Sequence, residues 1–234
     1  MTYVESNDNK QPLSVEVENK IIQDYFSGEY NSPLLPSERE LCDRYQVSRV
    51  TLRETLQSLT VKGYVERVQG KGVLKVDNSK EVLIRSLKIF MDRKNVDLHS
   101  ILEMRFLLEC KLAKQAALNI TDEEILQLEK LVAKMKELDF DYYNYLQVDF
   151  QFHLNIAKAS GNLLLYTFVE ALLEKMLEIV FSHTKKRVHL QSSYLYHETI
   201  LEAIKTHNAE EAEKQMMRHL LNSENNISQT LLKK

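Results

Sequence analysis

The chain has 234 residues, enough for one large domain or two smaller ones, and its hydrophobic fraction of 44% is enough for a core. Five Gly and three Pro are few for this length, which favours a mainly helical fold. No apolar run approaches the ~20 residues that span a bilayer, and the polar start MTYVESNDNK lacks the pattern of a signal peptide. Cys42 and Cys110 have no partner pattern, so we expect a reduced, cytoplasmic protein with no membrane partner.

The charge is unevenly distributed along the chain. The net charge of −3 does not by itself indicate a nucleic-acid partner. From Pro36 to Val76, however, eight Lys and Arg residues face five acidic ones, and the rest of the sequence is acidic overall. Such a locally basic segment is expected where one module of a protein contacts a polyanion and another does not.

Three short helices and a hairpin are predicted in the first part of the chain. Residues 14–27 carry apolar residues at helical spacing. A second helix begins after the capping-box pair Ser37 and Glu40, and a third begins after Ser48. The alternating stretches YVERV and GVLKV, separated by QGKG, predict a two-stranded hairpin. This order is that of a winged helix-turn-helix domain, which we assign to residues 11–77.

The third helix is the candidate recognition helix. In the helix-turn-helix mode, the second helix of the pair presents its N-terminal residues to base edges in the major groove. Here those residues include Ser48, Arg49, Thr51 and Arg53, whose hydroxyls and guanidinium groups suit phosphate and guanine. The glycines on either side of Lys71 allow the wing tip to approach DNA closely. A wing that binds protein instead is the alternative.

The second part of the chain is predicted to be a helical bundle over residues 79–230. Capping patterns and apolar periodicity place its helices over 97–118, from Thr121, over 141–159, from Asn162, over about 189–206, and along HNAEEAEKQMMRHLLNSE. About six antiparallel helices form a bundle, and ligand sites in bundles lie between facing helices.

Four polar residues of this bundle fall on apolar stripes: Asp149, His153, His197 and His219. A single histidine on such a face is most often a hydrogen-bonded core residue. Three histidines and an aspartate, all directed inward, are instead the nitrogen and oxygen ligands that hold zinc or a similar divalent ion. Helical i, i+4 spacing places Asp149 and His153 close enough for one ion to contact both.

Arg105 also lies on an apolar stripe. A buried guanidinium needs a carboxylate partner, because an unpaired buried charge is costly. That partner can be Glu109 or another acidic side chain, or it can be the carboxylate of a bound effector.

The segment LLPSERELCDRYQVSRVTLRETLQSLTVKGYVERVQGKGVLKV resembles, over its whole length, the DNA-binding domain of the GntR family of bacterial transcription regulators. The resemblance implies operator contacts from the arginine of the ERE helix, the arginines of the recognition helix and a wing glycine. In this sequence they are Arg39, Arg49, Arg53 and Gly70, with hydroxyl contacts from Ser48 and Thr51.

The second part is similar to the metal-binding FCD domain of the FadR-type branch of that family. That domain joins the two ligands of a D-x-x-x-H helix to histidines on the last two helices, here Asp149, His153, His197 and His219. The E-x-R-x-x-x-E pattern around Arg105 is also typical of FCD domains. Branch members that respond to fatty-acyl effectors lack this ligand set, so the resemblance argues against an acyl-CoA effector.

We therefore expect a non-enzymatic transcription regulator: a homodimeric repressor on pseudo-palindromic double-stranded operator DNA. Its release would follow when a small carboxylate, such as a sugar acid or hydroxy acid, binds a pocket centred on a divalent metal. We expect zinc, with nickel and manganese as alternatives. A metallohydrolase with an appended DNA-binding domain is the alternative function, although the sequence has no H-E-x-x-H arrangement. A purely structural metal is a third interpretation.

Overall fold

The structure, a computed structural model, describes residues 11–28, 30–138, 141–183 and 193–232. The chain divides into two compact units, one up to Leu83 and the other from Ile84 onward. The division falls inside a helix, whereas the sequence predicts domains over 11–77 and 79–230. No helix within the described ranges is long and apolar enough to cross a membrane.

The first unit contains three helices and a two-stranded antiparallel sheet. In chain order they are α1 (Leu13–Phe26), α2 (Glu38–Tyr45), α3 (Arg49–Val61), β1 (Val65–Val68) and β2 (Gly72–Lys75). The predicted caps are confirmed: Ser37 and Glu40 form a capping box for α2, and the Ser48 side chain accepts a hydrogen bond from the Thr51 amide at the start of α3. The strands pair with Val65 opposite Lys75 and Val68 opposite Gly72, which forms the predicted wing.

Gly63 fixes the turn from α3 into the wing. Its φ is 81°, and a Cβ at this position would lie 2.9 Å from the backbone carbon of Asn78. The Asn78 amide donates a hydrogen bond to the Gly63 carbonyl, 3.0 Å away. A side chain at this position would therefore collide with the backbone of Asn78, just after β2, and would strain its own backbone. The placement of the wing thus depends on glycine.

The second unit is a helical bundle. Its helices are α4 (Ser79–Arg93, which begins before the division), α5 (Leu98–Asn119), α6 (Asp122–Glu137), α7 (Tyr142–Ala159), α8 (Leu163–His183), α9 (Tyr194–Lys205) and α10 (Ala209–Leu232). The capping box of Thr121 and Glu124 is present, and Asn162 accepts a hydrogen bond from the Leu165 amide. The predicted start of the fifth helix at about 189 lies outside the described residues.

Two hydrophobic clusters fill the bundle. One joins α5 and α7 to α6, α9 and α10, and the other joins α5 and α7 to α4 and α8. Helices α5 and α7 therefore have apolar residues on two sides, as expected for the central helices of a bundle. Buried polar side chains on these two helices must find partners inside the protein, because water does not reach them.

Candidate functional site

The N-terminal end of α3 is exposed, as a recognition helix requires. Ser48, Arg49 and Arg53 are exposed and Thr51 is half-buried, whereas the opposite side of the helix packs into the core through Leu52, Leu56 and Leu59. Burying these leucines anchors the helix and leaves its first turn free for a ligand. The structure thus brings the predicted DNA-binding residues of α3 together on one surface.

The two hydroxyl groups predicted to contact DNA also serve the helix itself. The Ser48 hydroxyl accepts from the Thr51 amide at 3.1 Å and lies 2.9 Å from the Thr51 hydroxyl. This capping satisfies one of the unpaired amides of the first turn. Each hydroxyl still has a free lone pair or proton for a second partner, since an alcohol both donates and accepts.

Two arginines, one from α3 and one from β1, share a glutamate of α2. The Arg53 Nε lies 3.2 Å from one oxygen of Glu38, and an Arg67 Nη lies 3.2 Å from the other. Arg39, from the same helix as Glu38, is exposed, and its Nε is 4.0 Å from Asp43. The sequence indicated neither the ion pair between Glu38 and Arg53 nor the one between Glu38 and Arg67. Glu38 and Arg53 are 15 positions apart, and contacts at such a separation leave no periodic pattern in the sequence.

The tip of the wing is built for close approach. Gly70 and Gly72 have φ of 76° and 103°, and a Cβ on either would meet nothing within 4 Å. The Lys71 amide donates to the Val68 carbonyl at 3.0 Å, which closes the turn. Lys71 itself is exposed between the two glycines, so its ammonium group is available to a phosphate.

The four predicted metal ligands converge inside the second unit. Asp149 and His153 come from α7, His197 from α9 and His219 from α10, and one ligand atom of each lies within 4.8 Å of the others. The shortest approaches are 2.8 Å from His197 Nε2 to Asp149 Oδ1 and 3.0 Å between the Nε2 atoms of His153 and His219. All four residues are buried, with at most 7% of their surface exposed.

The hydrogen-bond partners of the rings show what this cluster can bind. The Nδ1 of His197 lies 3.2 Å from the carbonyl of Ser193, and a carbonyl only accepts, so that nitrogen carries the ring proton. In a neutral ring Nε2 then has a lone pair, and it faces a carboxylate oxygen of Asp149. Two lone pairs at this distance repel unless a proton or a metal cation lies between them, so the donor set fits a divalent ion.

Charge and burial set the protonation of the cluster. Burial alone would raise the pKa of Asp149, but His153 and His197 outweigh it and hold that pKa well below its ordinary value. Burial, together with His197 and His153, lowers the pKa of His219 well below its ordinary value. A carboxylate and a neutral imidazole are the forms that bind metal.

Arg105 is buried beside this cluster and is paired with Glu109. The Arg105 Nε lies 2.6 Å from Glu109 Oε1, and an Nη lies 2.8 Å from the sulfur of Met176. Burial alone would raise the pKa of Glu109, but Arg105 and His153 outweigh it and lower that pKa to about 2. One of the two partners foreseen for Arg105, Glu109, is therefore present, and a role in effector binding stays a prediction.

Glu109 has a second contact that the sequence did not indicate. Its Oε2 lies against the Nδ1 of His153 in an ion-pair contact. The i, i+4 spacing of Arg105 and Glu109 is visible in the sequence, but the contact between Glu109 on α5 and His153 on α7 requires the packing of two helices.

Two further histidines of the described ranges, His99 and His207, lie elsewhere. His99 is exposed, and its Nδ1 lies 3.3 Å from a carboxylate oxygen of Glu224. His207 lies at the turn between α9 and α10, and its Nδ1 is 2.8 Å from the carbonyl oxygen of Ala117 in α5. Neither contributes to the cluster. The side chain of His183 and the whole of His189 lie outside the described part of the chain.

Comparison with known protein families assigns both units. Residues 13–74 match the family described as bacterial regulatory proteins, gntR family, and residues 100–222 match the FCD domain. The first match spans the winged helix-turn-helix, and the second contains Arg105, Glu109 and the Asp–His cluster.

Three relatives are similar to the chain over most of its length. It is 33% identical over 207 residues to the Uxu operon regulator of Haemophilus influenzae, covering 86% of this chain and 76% of that protein. It is 31% identical over 199 residues to the HTH-type transcriptional regulator LutR of Bacillus subtilis, covering 83% and 91%. It is 29% identical over 232 residues to the HTH-type transcriptional repressor NanR of Escherichia coli K12, covering 94% and 85%.

Solved structures share the fold. Streptococcus agalactiae GntR superposes with a TM-score of 0.67 at 26% identity, over 90% of this chain and 98% of that one. E. coli McbR/YncC has a TM-score of 0.51 at 18% identity, over 94% and 99%, and shows the fold alone. These likenesses confirm the predicted mainly helical architecture with an N-terminal winged helix-turn-helix domain.

Proposed function

Because the chain belongs to the GntR family of bacterial regulatory proteins and has an FCD domain, we propose that it is a repressor released from operator DNA by a small organic acid. The relatives are named as regulators, and NanR is named a transcriptional repressor. The domains proposed are residues 11–77 for DNA binding and 79–230 for effector binding and dimerisation. Acting on DNA, the protein would work in the cytoplasm.

The DNA-binding surface proposed is the first turn of α3 with its neighbours. Arg49 and Arg53 would reach base edges or phosphates in the major groove, and Arg39 would contact the backbone. Gly70 and Lys71 at the wing tip would lie on an adjacent groove or phosphate. The exposure of these residues and their position beside one core-anchored helix support this assignment.

A homodimer would present two such surfaces to a pseudo-palindromic operator. Helices α5 and α10 pack against each other, and Lys114 of α5 forms ion pairs with Glu210 and Glu213 of α10. Both helices expose apolar side chains to solvent, namely Met104, Leu107, Met217 and Leu221. Exposed apolar side chains on neighbouring helices suit a self-interface.

The observation that carries the effector half of the proposal is the buried convergence of Asp149, His153, His197 and His219. These residues would hold a divalent ion, with zinc first and nickel or manganese as alternatives. The ion would supply a Lewis-acid position for the carboxylate or hydroxyl of a sugar acid or hydroxy acid. An ion that accepts more than four ligands keeps positions for such an effector.

Arg105 would take a second negative group of the effector. Its bond to Glu109 neutralises one side of the guanidinium, while one Nη lies 2.8 Å from the thioether sulfur of Met176, a weak acceptor. A carboxylate reaching that nitrogen would replace a weak acceptor with a strong one and leave the buried ion pair intact. Effector binding that favours one arrangement of the protein over another would then lower its affinity for DNA.

The test is a gel-shift assay of the full chain on the promoter region of its own gene, with a panel of sugar acids and hydroxy acids. We expect a specific shift that one class of acid relieves, and less relief after the protein is stripped of metal with a chelator. Turnover of the same acid would instead favour the metallohydrolase. A response to acid that survives complete removal of metal would assign the ion a structural role.

A further inference from the structure

Glu109 of α5 occupies a position between two buried groups. Its Oε1 accepts from the Arg105 Nε at 2.6 Å, and its Oε2 lies against the Nδ1 of His153 on α7. Arg105 and Glu109 are each 2% exposed and His153 is 1% exposed. Arg105 contacts both carboxylate oxygens, at 2.6 and 3.5 Å, and Oε2 in addition meets His153 of the neighbouring helix.

The contact with His153 fixes which nitrogen of the ring carries a proton. An ionised carboxylate only accepts hydrogen bonds, so the ring nitrogen beside it has to be the N–H. In the neutral ring the other nitrogen, Nε2, then has the lone pair. That nitrogen lies 3.0 Å from the Nε2 of His219 and 3.8 Å from Asp149 Oδ2, inside the candidate metal cluster.

We propose that Glu109 is a positioning residue for the metal centre: it accepts the Nδ1 proton of His153 and so directs the Nε2 lone pair at the ion. Metal-binding histidines generally donate their second ring N–H to a carboxylate, a carbonyl or water, which fixes the tautomer and strengthens the ligand. Arg105 completes the arrangement, because its Nε and one Nη hold the Glu109 carboxylate at 2.6 and 3.5 Å.

The three histidines differ in this support. His153 Nδ1 has a charged group beside it, the Glu109 carboxylate, in an ion-pair contact that lacks hydrogen-bond geometry. His197 Nδ1 lies 3.2 Å from the neutral carbonyl of Ser193, and His219 Nδ1 has no hydrogen-bond partner among the described residues. A charged acceptor restrains the ring and increases its basicity more than a carbonyl does. The loss of Glu109 is therefore expected to weaken the centre through one ligand, His153, and to leave the other two rings oriented.

This inference rests on the proposed metal centre, and the experiment separates the two. The full-length protein is stripped with a chelator, and its affinity for Zn²⁺ is measured by competition with a chromophoric chelator. We expect Glu109→Gln to bind Zn²⁺ about 10–100-fold more weakly than the parent protein. Glu103→Gln, which removes an exposed carboxylate from the same helix, is the matched control and should bind like the parent.

A double variant distinguishes support of His153 from mere pairing with Arg105. The variant Arg105→Met/Glu109→Gln removes both buried charges, so neither is left unpaired. If Glu109→Gln lowers the Zn²⁺ affinity only because it leaves Arg105 unpaired, the double variant should regain the affinity of the parent protein. We expect Zn²⁺ affinity to stay low, and recovery to the parent value would overturn the proposal. If the parent itself binds no Zn²⁺ or other divalent ion, both this inference and the proposed metal centre are wrong.

A spectroscopic measurement needs no variant. Long-range ¹H–¹⁵N spectra of the zinc-loaded parent protein report the tautomer of each histidine ring. We expect the His153 ring to carry its proton on Nδ1. A proton on Nε2 of that ring would contradict the proposal even if Glu109→Gln failed to fold.

Discussion

Glu38 in the first unit and Glu109 in the second each join two nitrogen-bearing side chains. Glu38 contacts Arg53 and Arg67 on the surface beside the recognition helix, and Glu109 contacts Arg105 and His153 inside the bundle. The chemical arrangement is nearly the same. The side chain of Arg53 is 62% exposed, whereas that of Arg105 is 2% exposed.

The difference in exposure decides what each arrangement can do. A solvated ion pair contributes little free energy and is screened by salt, so Arg53 can leave Glu38 for a phosphate at small cost. A buried pair cannot exchange partners with water, and removing one member leaves a charge without solvation. The surface glutamate therefore suits a reversible interaction, and the buried glutamate suits a fixed geometry.

The largest expected effect is that of Glu109→Ala on folding. This change leaves the guanidinium of Arg105 buried and unpaired, so the free energy of unfolding of the metal-free protein should fall by about 3–5 kcal/mol. Urea denaturation followed by circular dichroism measures it, with Glu103→Ala as the exposed control on the same helix. If the free energy of unfolding fell by less than about 1 kcal/mol, Glu109 would stabilise the protein no more than the surface residue Glu38 is expected to do.

Next in size are the arginines of the recognition helix. Arg49→Ala and Arg53→Ala should each weaken operator binding by about 1–3 kcal/mol without a matching loss of stability, because both side chains are exposed. Fluorescence anisotropy with a labelled operator at fixed salt measures the affinity, and Arg93→Ala, an exposed arginine of α4, is the control. Unchanged affinity in both variants would place the operator elsewhere on the protein.

In the metal-free protein, acid should destabilise the buried region as His219 and then Glu109 take up protons. The pKa of His219 is depressed below its ordinary 6.5, so the unfolded chain binds the extra proton and stability falls as the pH drops below that value. The pKa of Glu109 is lowered from 4.5 to about 2, so its contribution is lost as the pH falls between those values. Each proton adds a slope of up to about 1.4 kcal/mol per pH unit.

Urea denaturation at a series of pH values measures these slopes. His219→Gln should remove the loss that begins near neutral pH and keep the one that begins at lower pH. A stability that stays level from neutral pH down to pH 5 would contradict the burial of a neutral His219.

The smallest expected effect is that of Glu38→Gln. The ion pairs it removes are exposed, so stability should change by no more than about 1 kcal/mol, and the difference should vanish near 1 M salt. Denaturation at low and high salt measures both. A loss as large as that of Glu109→Ala, or one that salt does not reduce, would mean that Glu38 supports the fold of the first unit.

The sequence was sufficient for the local structure and for the four residues of the buried Asp–His cluster. Capping pairs such as Ser37 with Glu40, and apolar spacing such as that of Leu52, Leu56 and Leu59, act over a few residues and are readable along the chain. The four candidate ligands could be identified because Asp149 and His153 are one helical turn apart and each histidine lies on an apolar stripe. A resemblance to the GntR family and its FCD domain, now confirmed by comparison, joined His197 and His219 to that pair.

Only the tertiary structure decided which groups partner one another. Nothing in the spacing of Glu38, Arg53 and Arg67 joins them, and nothing in the sequence around Glu109 indicates that its second oxygen meets His153. Such contacts depend on how helices and strands pack, and packing is set by the whole core rather than by any local repeat. For the same reason the sequence left two partners open for Arg105, and folding placed Glu109 against it.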